Sequence, residues 1–136
     1  SVGFLLSFVQ LRGYSDLSYE QWRNDPVDRE EDAAYVFGYH LIKNCRDEAM
    51  EELPENLSPD AKKAAEEAID TALHNVADML EGFFPMEAGP NHSAELVLGV
   101  RIRDSKDDVV ETVEISPCKV DLPIGYWKWA EDREFR

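Results

Sequence analysis

His74 stands four residues after Asp70 and four before Asp78, with Glu67 and Glu81 on the same flank. On an α-helix, steps of four bring side chains onto one face. An imidazole between two carboxylates can share a divalent cation or handle a proton. The set matches neither the closed Cys/His arrangement of structural zinc nor the Glu-x-x-His pairs of a di-iron bundle. A solvated acidic face in an acidic chain produces the same pattern, and that reading is preferred. Asp70, His74 and Asp78 therefore stand as metal candidates against a bland alternative. His40 would join them only if two polar helix faces met, which the apolar pattern opposes.

Glu111 is the next anomaly. Alternation along 109–115 puts it on the same face as Val109 and Val113. A carboxylate on an apolar face must reach solvent, find a cation such as Lys119 or Arg12, or be protonated. Tyr126, Trp127 and Trp129, with Phe135, form the densest aromatic group and are candidate interface anchors. If that stretch is extended, the two Trp side chains share a face; if it is helical, they do not. The competing role, favoured for a chain-terminal aromatic segment, is to cover the open side of a sheet. Glu30, Glu31 and Asp32, in the run DREED at 28–32, are candidate contacts for a basic partner, and DEAMEELPE at 47–55 extends the acid to the far end of the same helix.

The chain of 136 residues carries 29 acidic against 14 basic side chains, a net charge of −15. Such a surface repels nucleic-acid phosphates and anionic membranes, and it attracts basic proteins or cations. No P-loop, G-x-G-x-x-G, G-x-S-x-G or H-E-x-x-H occurs. Cys45 and Cys118 lack zinc-type spacing, and Cys45 falls on an apolar helix side, where a buried thiol in a reducing cytoplasm is expected. A dyad of Cys118 with a histidine has no sequence support. The opening VGFLLSFV lacks a basic leader and a cleavage site, so it is not read as a signal peptide. No cofactor is expected. The functional expectation is a non-enzymatic acidic interaction domain of the inhibitor or immunity type. A metal-binding or hydrolytic enzyme using the His74 face or Glu111 is the alternative, and a dimer is an open option.

These residues need elements to position them. From Ser58 to Phe84 the apolar residues Ala61, Ala65, Ile69, Ala72, Leu73, Val76, Leu80 and Phe83 recur at helical steps. Ser58 and Pro59 signal the start, Gly82 and Pro85 the stop. A preceding helix runs from the cap Asp25 to about Leu53, with Ala34, Gly38, Leu41, Ile42, Cys45, Ala49 and Leu53 as its buried stripe. The loop PENLSP makes the two helices antiparallel neighbours. Ser18 to Asn24 reads as a short helical piece carrying Trp22, opened by a capping box. Gly3 to Arg12 reads as a strand, and 87–93 as a loop.

Leu96, Leu98, Val100 and Ile102 fall on one face, with Glu95, Val97, Arg101 and Arg103 on the other, and Val109 to Ile115 is the hairpin partner across Asp104–Asp107. The preferred register places Leu98 opposite Val113 and Val100 opposite Glu111. Val120 to Ile124 is expected as an extended segment made irregular by Pro123. The whole is an α+β single domain over 1–136: an antiparallel helix pair, within a helical part of about 18–84, packed on a small, mainly antiparallel sheet. The hairpin and aromatic segment occupy about 94–130.

Overall fold

The computed structural model describes residues 18–132. The expected strand at Gly3 to Arg12 lies outside the described residues. Helix α1 (Pro26–His40) opens where the sequence predicts: the Asp25 carboxylate accepts from the backbone N–H of Val27 at 3.0 Å and of Asp28 at 3.4 Å. It runs on through a π-helical stretch (Leu41–Asp47) into α2 (Glu48–Glu51). Ahead of it, Tyr19–Gln21 form a single 3₁₀ turn, and the Ser18 side chain makes no cap there.

The π stretch changes which residues face inward. A π turn holds more residues than an α turn, so the side chains after it fall out of phase with a 3.6-residue repeat. Ile42 is buried as expected, but Cys45 is exposed, contrary to its place in the predicted stripe. Arg46 takes the inward direction and reaches Asp70.

Helix α3 (Pro59–Leu80) follows the loop and is capped by Ser58, whose Oγ accepts from Ala61 N–H at 3.2 Å. Its predicted start and length hold, and its predicted inward face holds in part: Leu73 and Leu80 pack against the core, but much of the polar face is turned inward as well. Ala77 is buried, and Ile69, Leu73 and Leu80 are half-buried. Ala61 and Ala72 are exposed, as are Val76 at 41% and Phe83 at 62%. Asp70, His74 and Asp78 are half-buried and Glu81 is buried, so the carboxylate side is not the solvated side. The cause is the neighbour. A helix packed against another element's hydrogen-bond donors can turn acceptors toward it, and the hydrophobic stripe alone cannot anticipate this.

That neighbour is α4 (Leu122–Trp127), in a segment the sequence suggested would be extended. Asp121 caps it, accepting from Ile124 N–H at 3.1 Å, and Pro123 sits in the first turn, where its missing N–H costs nothing. The buried Glu81 carboxylate accepts from Leu122 N–H and Cys118 N–H, both at 3.3 Å, so α3 itself anchors the start of α4. A further π-helical turn (Lys128–Asp132) follows.

A two-residue ladder joins β1 (Met86–Glu87) to β2 (Ser93–Ala94) within the stretch read as a loop. The main hairpin pairs β3 (Leu98–Arg103) with β4 (Val109–Ser116) antiparallel. Its register differs from the predicted one by two residues: Val100 meets Val113 and Ile102 meets Glu111. The turn explains this. Asp104 Oδ1 accepts from Lys106 N–H at 2.9 Å and Asp108 N–H at 3.0 Å, and Asp107 takes a left-handed φ of 66°. The turn is one residue longer than expected, and Val110 adds a bulge. A shift of two preserves the faces. Leu98, Val100, Ile102, Val113 and Ile115 still point toward α1.

The α+β layout is the one the sequence predicts: a helical hairpin, with a β-hairpin in the C-terminal half packed on α1. Segment 122–132 closes the core between α1 and α3. Tyr126 and Leu122 are fully buried, and Trp129 lies against Gly38. A Cβ at Gly38 would stand 2.4 Å from the Trp129 ring. Gly38→Ala should therefore destabilise the fold by about 1–3 kcal/mol in urea unfolding, despite the better helix propensity of alanine. A neutral or stabilised variant would contradict this packing.

Candidate functional site

Two polar clusters hold the elements together, and a groove lies beside one of them. In the first cluster, Arg46 on the π stretch donates to Asp70 on α3, from Nε to Oδ1 at 2.6 Å and from Nη2 to Oδ2 at 3.3 Å. The Tyr126 hydroxyl on α4 donates to the same Oδ1 at 2.7 Å. Burial pushes the Asp70 pKa up, but the hydrogen bonds from Arg46 and Tyr126 outweigh it and hold the group below its ordinary value. Burial and the bond to Asp70 push the Tyr126 phenol well above its usual range, so it is a donor throughout.

The groove opens next to Asp70. Glu67, Asp70 and Thr71 on α3, Trp127 on α4 and Glu131 on the following turn line a volume of about 490 Å³. Trp127 is held by stacking on His74, with ring centroids 5.2 Å apart and planes at 30°, and by an edge contact with Tyr126 at 5.3 Å. Glu67 and Glu131 are exposed, and among the described residues neither has a cationic partner. Two free carboxylates beside an indole can receive a primary ammonium or guanidinium group.

The metal candidates are placed differently from their sequence pattern. His74 Nδ1 lies 3.6 Å from Asp78 Oδ2, but Asp70 is turned to Arg46 and Tyr126. Among the described residues no three His, Cys, Asp or Glu side chains converge as a metal cluster. His74 serves instead as the stacking support of Trp127.

Glu111 finds its cation in Arg29 rather than in Lys119, and Arg12 lies outside the described residues. Arg29 on α1 donates to both its carboxylate oxygens, from Nε to Oε2 at 3.1 Å and from Nη2 to Oε1, and Tyr19 donates its hydroxyl to Oε1. The Arg29 guanidinium also lies 5.4 Å from the Tyr19 ring centre and 5.5 Å from that of Trp22. This cluster ties the 3₁₀ turn, α1 and β4 together. The hydrogen bonds from Arg29 and then Tyr19 hold Glu111 below the ordinary carboxylate range, against burial.

The remaining partner candidates divide by depth. Tyr126 and Trp129 are interior, and Asp32 is 2% exposed, so these three are not surface contacts. Asp32 accepts from Arg23 N–H and from its guanidinium, each at 2.8 Å. Glu30 is half-buried, Glu31 is exposed, and Trp127 is half-buried. The residues that sequence reasoning missed are Arg46, Arg29 and Glu131. Arg46 was hidden by the π stretch. Arg29 is the lone cation inside DREED, where the surrounding acid dominates the composition. Glu131 belonged to a tail given no structure. No helix among the described residues is long and apolar enough to cross a membrane.

No family model, curated protein or solved structure matches the chain.

Because Glu111 and Asp70 bind protons less tightly folded than unfolded, their contribution is complete above the ordinary carboxylate pKa. It is lost as pH falls through their lowered folded values. Glu111→Gln should be less stable than the parent near pH 7 and lose less stability on acidification toward about pH 2. Urea midpoints measured across that range check this; parallel curves for parent and variant would refute it.

Proposed function

We propose that the chain is a non-enzymatic acidic interaction domain that binds a basic partner protein, in the manner of a charge-complementary inhibitor or immunity protein. The observation that carries this reading is the groove beside α4. Glu67 and Glu131 stand exposed without cationic partners among the described residues, next to the ring of Trp127, in a chain of net charge −15. Lysine and arginine side chains suit such a groove, since their charge meets the carboxylates and their stems or planes lie on the indole. The surrounding field would speed encounter with a positively charged surface and disfavour acidic competitors. Trp127 supplies the aromatic anchor typical of binding hot spots, and its stacking on His74 lowers the entropy lost on contact.

Decalysine, titrated against the full chain and followed by tryptophan fluorescence, is the simplest basic probe. Replacing Glu67 and Glu131 together by glutamine should weaken its binding by about three- to tenfold. Replacing Glu87 and Glu95, which follow the other end of α3, removes the same charge and should change binding less than about twofold. Equal losses in the two variants would show that only net charge attracts the probe, and the groove would lose its role.

A further inference from the structure

Helix α3 turns an apolar line away from the rest of the chain, and the spacing of that line says what fits it. Helix α4 and the π stretch meet α3 on the side of Asp70. Away from them, Ala61, Ala65, Ala68, Ala72, Val76 and Met79 follow at steps of four, three, four, four and three. Five steps over 18 residues match the natural period of a straight helix, so the line does not drift round it. Ala65 and Met79 are half-buried and the other four are exposed. Phe83 and Phe84 stand exposed just beyond the helix end. No charged residue falls on this outward line, although 32% of the chain is charged. The outward face of a surface helix is ordinarily polar, so a continuous apolar line there points to a partner.

The line is tapered, and the taper identifies the partner. Its N-terminal half is alanine, and its C-terminal half enlarges through Val76 and Met79 to Phe83. It is also symmetric in spacing about Ala72: Ala68 and Val76 lie four residues to either side, Ala65 and Met79 seven, Ala61 and Phe83 eleven. A parallel copy would set large against large and small against small. An antiparallel copy, turned about a two-fold axis at Ala72, sets Val76 of one chain over Ala68 of the other and Met79 over Ala65, with Phe83 at the Ala61 end. Such self-complementarity is what an isologous two-fold contact requires, and it also opposes the helix dipoles. We propose that two copies of the chain pair through antiparallel α3 helices crossing at Ala72. A strip the length of α3, about 33 Å, and about 12 Å wide, with the phenyl rings beyond it, comes to about 1,000 Å² over both copies. That area is at the lower end for specific association. The dimer is therefore weak, is opposed by the net charge of −15 on each copy, and tightens as salt screens that charge. It does not depend on the binding of a basic partner, which salt weakens.

Sedimentation equilibrium and cysteine cross-linking on the full chain test the pairing. In about 0.5 M NaCl a dimer should form between about 10 µM and about 1 mM protein, and association should be weaker in about 0.05 M salt. Ala72→Glu, at an exposed helical position, should weaken dimerisation more than about tenfold by facing two carboxylates across the axis. In a Cys45→Ser, Cys118→Ser background, Ala72→Cys should oxidise to a disulfide-linked dimer, because position 72 meets its own copy. Ala65→Cys should not, because position 65 meets position 79. A chain that stays monomeric to about 1 mM in high salt, a dimer unaffected by Ala72→Glu, or equal cross-linking of the two cysteine variants would overturn the proposal.

Discussion

One carboxylate, Asp70, holds three elements in place. Arg46 arrives from the π stretch after α1, Tyr126 from α4, and both donate to the same oxygen of a residue on α3. Removing either donor leaves a partly buried charge short of a partner, which costs more than the hydrogen bond itself contributes. The geometry around Asp70 therefore dictates the path of α4. With Tyr126 fixed, the next residue, Trp127, is directed along α3 onto His74, and Trp129 is carried across to Gly38. The groove between α3 and Trp127 follows from that placement.

A second constraint acts at the start of the same helix. Glu81, near the end of α3, accepts backbone N–H bonds at Cys118 and Leu122, so α3 holds α4 at one end by a carboxylate cap and in the middle by Asp70. Acidic residues thus divide into two populations. Asp32, Asp70, Glu81 and Glu111 are spent on internal donors and define the fold. Glu67 and Glu131 are exposed at a groove, with no cationic partner among the described residues. Exposed carboxylates occur elsewhere on the chain as well, and what distinguishes this groove is their place beside Trp127.

Much of the framework was legible because it rests on local chemistry. Asp25, Ser58 and Pro59 mark helix starts through their own side chains and φ preferences, and period-two alternation located the main hairpin and its inward face. What failed to read through was set by distant neighbours. The hydrophobic stripe of α3 gave only part of the inward side, Leu73 and Leu80, because α4 brings a phenol, an indole and backbone donors that turn Asp70, His74 and Glu81 inward too. Cys45 and Arg46 exchanged roles because a π stretch leaves no signature in hydrophobic periodicity. Pro123 read as a strand breaker when it opens a helix, a role that depends on Asp121 as cap. Of the candidate residues, Trp127 lines a groove, and Glu31 is exposed and ion-paired with Arg23. Tyr126, Trp129 and Asp32 proved to be interior, which type and spacing alone do not reveal.

In the proposed function, free carboxylates beside α4 capture a basic partner by long-range attraction followed by contact with Trp127. The association rate of decalysine with the full chain, measured by stopped-flow tryptophan fluorescence at rising ionic strength, tests it most directly. The account predicts a rate that falls steeply as salt rises from about 0.02 to about 0.5 M, with the Glu67→Gln, Glu131→Gln pair flattening the dependence. A rate insensitive to salt, or a dependence unchanged in that variant, would contradict it.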